Sequence, residues 1–321
     1  MYKKILIPLD GSELSVLALD YAKNIAGQLG SVEVFLFHVY SQEERGLAAM
    51  HRAYIERAVE TISSHLKASG QYADIQSGFK GVSVRGEVAK GHPVDKILSF
   101  TRNNDIDLII MVTHGRSGLS RVVMGSVAHK VLLTSNVPIW FIRAGVTKEA
   151  IKDRLPIKAI LVLLDGSKLA ESVLPHVETL VRQYGAKRVK VVLLRVYESH
   201  LIESGFPPEK PPGSPPVISM GWEEHARKET IKSRLNAKAY LDEIAEQLKK
   251  AGLTVRTEVL MGDPTEKITS YLGKNLFSVV AMATHGRSGI GKLAYGSVAE
   301  HIILNDMTPF FLVRPWHFNS S

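Results

Sequence analysis

The chain has 321 residues, of which 45% are hydrophobic and 22% charged, with no cysteine and a formal net charge of +8. That length suits two domains, and the missing cysteines exclude disulfides, thiolate metal sites and thiol catalysis. Apolar runs stay well below the ~18 residues that cross a bilayer, and the N-terminal run at 5–9 is too short for a signal peptide, so a cytoplasmic protein with no membrane partner is expected. The positive charge favours anionic partners, but Lys and Arg are dispersed, without zinc-finger spacing or an aromatic-basic signature, and no nucleic acid is expected.

In chain order, residues 3–9 (KKILIPL) form an apolar strand candidate that ends in Asp10-Gly11-Ser12. Gly11 turns the chain and Ser12 can cap an amphipathic helix over 13–29, stopped by Gly30. Residues 32–39 read as a second strand, 42–68 as a long helix closed by Gly70, and 82–88 as a third strand. Gly91-His92-Pro93 then opens a helix to about residue 102, with Pro in the first turn. The fourth strand is 108–112, followed by a glycine-bearing loop, a helix from Ser126 and a last strand at 137–142.

The series then restarts. Residues 145–156 are the boundary, dividing the chain into 1–147, a linker at 148–156, and 157–321. Asp10 and Asp165 are 155 apart, Val39 and Val196 are 157 apart, and Gly115 and Gly286 are 171 apart. These offsets describe a duplication with an insertion in the second copy, over 201–221, where PPEKPPGSPP reads as an extended Pro-rich loop. Strands alternating with helices predict an α/β fold with parallel sheets covered on both faces.

The most similar stretches of the two copies are THGRSGLSRVVMGSVAHKVLLTSN from Thr113 and THGRSGIGKLAYGSVAEHIILND from Thr284. In each, a Gly (Gly115, Gly286) is followed by nine residues and a Gly-Ser pair (Gly125-Ser126, Gly296-Ser297). Glycines at a strand exit and Gly-Ser at a helix start suit a backbone that approaches an anion closely, with amide groups and helix dipole turned to phosphate. If the first and fourth strands are neighbours, Asp10 faces Gly115, Gly125 and Ser126 across one crevice, and Asp165 faces Gly286, Gly296 and Ser297 across another. The two Asp then meet a nucleoside or a phosphate-bound Mg²⁺ rather than phosphate itself. Simpler readings stand beside this: Asp-Gly-Ser as a capped turn, the glycines as conformational, Arg116 and Arg287 as solvent-exposed rather than phosphate-binding, and His114 and His285 as loop hydrogen-bonders.

On these residues the chain resembles a tandem universal stress protein, whose ATP-binding members carry Gly-x-x-Gly, nine residues, then Gly-Ser or Gly-Thr. The resemblance covers both halves. It implies two tandem doubly wound domains (Rossmann-like, adenine-nucleotide-hydrolase-like), each a five-stranded parallel sheet in order 3-2-1-4-5. It implies ATP, ADP or AMP, with Mg²⁺, at the first/fourth-strand crevice. Asp10 and Asp165 then match the nucleoside contact, and Val39 and Val196 the backbone contact to adenine. Gly115, Gly125 and Ser126, with Gly286, Gly296 and Ser297, match the phosphate loops. Two departures stand out: the motif's first glycine is Val112 in one half and Ala283 in the other, and Leu163 replaces the strand-end Pro8. The resemblance further implies pairing of the final edge strands, here within one chain as a pseudo-twofold, with a homodimer as a further option.

Known catalytic patterns are missing from the sequence: GxxxxGK[ST], GxSxG and HExxH do not occur. The expected function is a nucleotide-dependent regulatory module of the stress response, with no catalytic or dedicated metal residues and at most slow hydrolysis. A slow ATPase or phosphotransferase, and a nucleotide-free interaction module, are the alternatives.

Overall fold

The computed structural model describes residues 1–12, 15, 18–19, 21, 25, 31–70, 81–113, 124–143, 146–198, 220–284 and 296–315. In the first half the strands are β1 (Lys4–Leu9), β2 (Val32–Tyr40), β3 (Val82–Lys90), β4 (Leu108–Val112) and β5 (Ile139–Ile142). The second half supplies β6 (Ala159–Leu163), β7 (Lys190–Tyr197), β8 (Thr254–Met261), β9 (Val279–Ala283) and β10 (Phe310–Val313). They form one sheet in the order β3-β2-β1-β4-β5-β10-β9-β6-β7-β8. Each half is therefore a parallel sheet of order 3-2-1-4-5. The junction is antiparallel, with Phe311 opposite Trp140 and Phe310 opposite Phe141.

Burial on both faces explains why the central strands read as continuous apolar runs such as LIIMV and FFLV. One face collects Ile5, Ile7, Ile110, Val112 and Trp140, and across the junction Val162, Val279 and Phe311. The other collects Leu6, Ile109, Met111, Phe141, Leu161, Val280 and Phe310. The helix Ala48–Ala68 lies against β3 at Gly86, where an added Cβ would overlap Ile55 Cγ2 and reach Val59 Cγ2 at 2.9 Å. Gly86 thus sets how closely that helix packs.

Side chains reinforce the junction. Gln183 accepts from the Tyr2 N–H at 2.7 Å and donates to the Tyr2 carbonyl at 2.9 Å. The Tyr2 hydroxyl lies 2.8 Å from His176 Nδ1. Arg143 Nη1 donates to the Asp306 carbonyl at 3.0 Å.

Several boundaries differ from the sequence reading. The stretch read as a linker carries a helix, Lys148–Arg154, capped by Thr147, whose side chain accepts from the Ala150 N–H. The helix expected from residue 42 begins as a 3-10 turn, Glu43–Leu47, before the α-helix at Ala48. After Asp165-Gly166-Ser167 the helix is broken into Lys168–Glu171 and Leu174–Tyr184, because Pro175 supplies no N–H and fits only a first turn. The last strand of the first half begins at Ile139, past Pro138. The helix expected over 13–29 is described at Ser15, Ala18, Leu19, Tyr21 and Ile25, all helical. The Pro-rich segment lies almost wholly outside the described residues. Among the described residues, no helix is long and apolar enough to cross a membrane.

Candidate functional site

An open parallel sheet makes a crevice where neighbouring strands send their connections to opposite faces. Here those points lie between β1 and β4, paired at Ile5–Leu108, and between β6 and β9, paired at Ile160–Val279. A cavity of about 350 Å³ opens at the first, and one of about 430 Å³ at the second. Asp10, Val39, Gly125 and Ser126 line the first, and Asp165, Val196, Gly296 and Ser297 line the second. The other four residues singled out in the sequence, Gly115, Arg116, Gly286 and Arg287, lie outside the described residues, as do His114 and His285.

Each Asp is set by a turn. Gly11 and Gly166 adopt φ of 82° and 93°, a region that favours glycine. The turn returns the Ser12 N–H and hydroxyl to Asp10 Oδ1, at 3.0 and 2.6 Å. In the second half the Ser167 N–H donates to Asp165 Oδ1 at 2.8 Å. Both serines also cap the next turn, accepting from the Ser15 and Ala170 N–H groups. These are Asx turns, and they fix the carboxylates at the strand exits.

The opposite wall is a helix start held to a strand end. Thr113 donates its N–H to the Ile142 carbonyl at 3.0 Å, and its own carbonyl accepts from the Gly125 N–H at 2.7 Å. Thr284 does the same with Val313 and Gly296, each at 2.8 Å. Both ends of each glycine loop are thereby pinned beside each other. The helices that follow, Ser126–Thr134 and Ser297–Asn305, have glycine at the N-cap and no side-chain cap among the described residues. Their first helical donors are the N–H groups of His129 and Glu300. The amides of 126–128 and 297–299 therefore have no acceptor within the helix. These residues are the ones that line the cavities.

Gly296 is informative because nothing among the described residues requires it. Its φ is −63°, open to any residue, and among the described residues an added Cβ would meet only the Thr284 carbonyl oxygen, at 3.9 Å. Gly296 also borders the second cavity.

The sequence reading missed part of the lining. Gly91 and Pro93 also border the first cavity, and Asp263 and Pro264, from the matching Gly-Asp-Pro of the second half, border the second. They were legible as helix openers but not as site residues. In a parallel sheet the third strand of each half ends on the same edge as the first and fourth, which was the available signal. Asp263 caps its helix by accepting from the Glu266 N–H at 2.8 Å, whereas His92 makes no such bond. Ser41 and Glu44 border the first cavity and Glu198 the second. No group of three His, Asp or Glu that could hold a metal ion occurs among the described residues.

Fold and cavities together define a tandem doubly wound α/β protein with one strand-end cavity per half. The model of the universal stress protein family matches residues 1–143 and again 156–314, and the chain belongs to that family. A universal stress protein of Methanocaldococcus jannaschii is 34% identical over 148 residues, which are 44% of this chain and 83% of the relative. One of Mycolicibacterium smegmatis is 24% identical over 314 residues, covering 97% of both. Among solved structures, a universal stress protein from Archaeoglobus fulgidus matches with a TM-score of 0.64 at 18% identity, covering 98% of this chain and 99% of the other, a likeness of fold.

Proposed function

We propose that the chain is an adenine-nucleotide-binding regulatory module of the stress response, with one site for ATP, ADP or AMP in each half. One observation carries this reading. Twice in the chain, a helix N-terminus without a side-chain cap among the described residues shares a strand-end cavity with an Asp fixed by an Asx turn. Amides lacking helical acceptors, with the helix dipole behind them, form an anion site, and a carboxylate across the cavity suits hydroxyl groups of a sugar. Cavities of about 350 and 430 Å³ fall in the usual range for small-molecule sites.

In this assignment Asp10 and Asp165 hold the nucleoside, and the backbones at Val39 and Val196 meet adenine. Gly115, Gly125 and Ser126, with Gly286, Gly296 and Ser297, surround the phosphates, and Arg116 and Arg287 add countercharge. Mg²⁺ would arrive on the phosphates, neutralising part of their charge, because the chain offers it no cluster of its own among the described residues. Domains at 1–147 and 157–321, paired through β5 and β10 as a pseudo-twofold unit, complete the proposal. The cytoplasm is its assigned compartment.

The test is to denature the purified protein and chromatograph what it releases. Adenine nucleotide, at up to two per chain, is the expected result. A preparation that releases none, and gives no heat with Mg-ATP, would leave the nucleotide-free interaction module as the better reading.

A further inference from the structure

Two histidines are buried together behind the nucleoside end of the first cavity. His38 and His51 are each 2% exposed. His38 Nδ1 lies 2.7 Å from the Leu9 carbonyl, which can only accept, so that nitrogen carries a proton. His38 Nε2 lies 2.9 Å from His51 Nδ1. In the neutral pair the shared proton therefore sits on His51 Nδ1, and both tautomers are dictated. His51 Nε2 ends the relay, buried and without a hydrogen-bond partner among the described residues.

The pair is enclosed by rings. Tyr40 stacks on His51 at 4.8 Å and 9°, and Tyr54 meets His38 edge-on at 5.4 Å. The Tyr54 hydroxyl lies 3.4 Å from Ser15 Oγ, which donates to the Ser12 carbonyl at 2.7 Å. Ser12 in turn donates to Asp10. Hydrogen bonds and a ring contact thus join the histidines to Leu9 and Asp10, and Val39 follows His38 directly along β2. The titratable and charged groups on the elements around the pair include Asp10 beyond β1, Tyr40 on β2, Glu87 and Lys90 on β3, Glu44 in the 3-10 turn, and Arg52, Tyr54 and Glu56 on the helix.

We propose that the His38–His51 pair is a proton-sensitive support of the first site, without counterpart in the second. The binding part of this rests on the nucleotide reading above. A further proton has only His51 Nε2 to occupy, and there it becomes a buried charged N–H with no acceptor. Relief comes by moving the helix Ala48–Ala68 off β2, which releases the hold of His38 on Leu9. The neutral pair belongs to the closed site, so closure is complete at mildly alkaline pH and weakens as pH falls into the mildly acidic range.

The second half is built differently. Arg195 occupies the place of His38, beside Leu194, whose carbonyl accepts from the Leu164 N–H at 3.0 Å. Its guanidinium lies 4.9 Å above the Tyr240 ring and rests on Gly166, where an added Cβ would come within 2.7 Å of Cζ. Arginine keeps its charge throughout this pH range. Counting back from Gly70 and Gly252, Ser233 stands where His51 does.

Hydrogen exchange of the ligand-free full chain, at about pH 8 and about pH 5.5 and corrected for intrinsic rates, tests the support itself. Amides around Leu9–Asp10 and His38–Val39 should lose about tenfold in protection at the lower pH, and those around Leu164–Asp165 and Arg195–Val196 should not. The double variant His38→Arg/His51→Ser, which installs the second half's pair, should abolish the difference. Should that variant fail to fold, His51→Gln, which retains a donor to His38 but no ring nitrogen, should reduce it.

For binding, ATP affinity is followed over the same pH range in Gly296→Val, which leaves the first site, and in Gly125→Val, which leaves the second. Protonation of ATP affects both alike, so only the first-site excess loss counts. Asymmetric exchange without any ATP binding would uphold the proton-sensitive support and overturn the nucleotide reading. ATP binding at both sites with equal pH dependence, and symmetric exchange, would do the reverse.

Discussion

At matched positions the two cavities keep the same backbone and differ in side chains. Both have the Asp-Gly turn, the Thr–Gly pin and the uncapped helix start. The wall, however, has Val112 in one and Ala283 in the other, and the cavity with valine is the smaller, about 350 against 430 Å³. Charge runs the opposite way. The larger cavity is bordered by Asp165, Glu198 and Asp263 against Asp10 and Glu44 in the smaller, and Glu300 sits in the first turn of its helix, where the first half has His129. A carboxylate at that end of a helix favours the helix, by about 0.3–1 kcal/mol, but repels an arriving anion. The two halves thus share these backbone devices and differ in the side chains beside them. The tighter cavity is the one that electrostatics makes easier for an anion.

The largest expected effect concerns whether the halves can be compared as separate units at all. Trp140 and Phe311 are fully buried and meet edge-on at 5.9 Å across the junction. Replacing either by Ala should cost about 3–5 kcal/mol, read by urea unfolding, and should split one transition into two as the halves uncouple. A single unchanged transition would mean that the junction contributes little.

Next come the helix starts. Gly125→Val should weaken ATP binding in the first half by about 100-fold, about 2.7 kcal/mol, and Gly296→Val should do so in the second, each sparing the other. Asp10→Ala and Asp165→Ala remove one hydrogen-bonding carboxylate apiece, and about a tenfold loss per site is expected by calorimetry.

The junction also carries a pH dependence. Burial pushes the His176 imidazole below its ordinary value. A histidine so shifted stabilises the fold above about pH 6.5 and loses that contribution as pH falls towards its folded value. Thermal melts should therefore fall on acidification, and His176→Gln should flatten the trend. The smallest effect is Val112→Ala, which enlarges the first cavity by two methyl groups. First-site affinity should rise only a few-fold, and Ala283→Val should lower that of the second by a similar factor.

Much of this was legible in the sequence because the signals were repeated or strong. Strands buried on both faces read as unbroken apolar runs, and the Asp-Gly-Ser and Gly-Ser punctuation occurs twice at matched places. What escaped were features that depend on local exceptions or on distant partners. The helix Lys148–Arg154 is too short to show a period, and its cap at Thr147 was the one available sign. The break before Leu174 follows from Pro175 alone. His38 and His51 lie on a strand and a helix, and only the packing of that helix on the sheet brings them to 2.9 Å. Their apolar neighbours gave no hint of a polar pair.

The central claim is that two phosphate-binding helix starts, each opposite a fixed carboxylate, make two unequal nucleotide sites. Calorimetric titration of Mg-ATP into the full chain, freed of bound nucleotide, tests it most directly. The account predicts two binding events of different affinity, one lost in Gly125→Val and the other in Gly296→Val. A flat titration of the folded chain, or a single event that survives both substitutions, would contradict it.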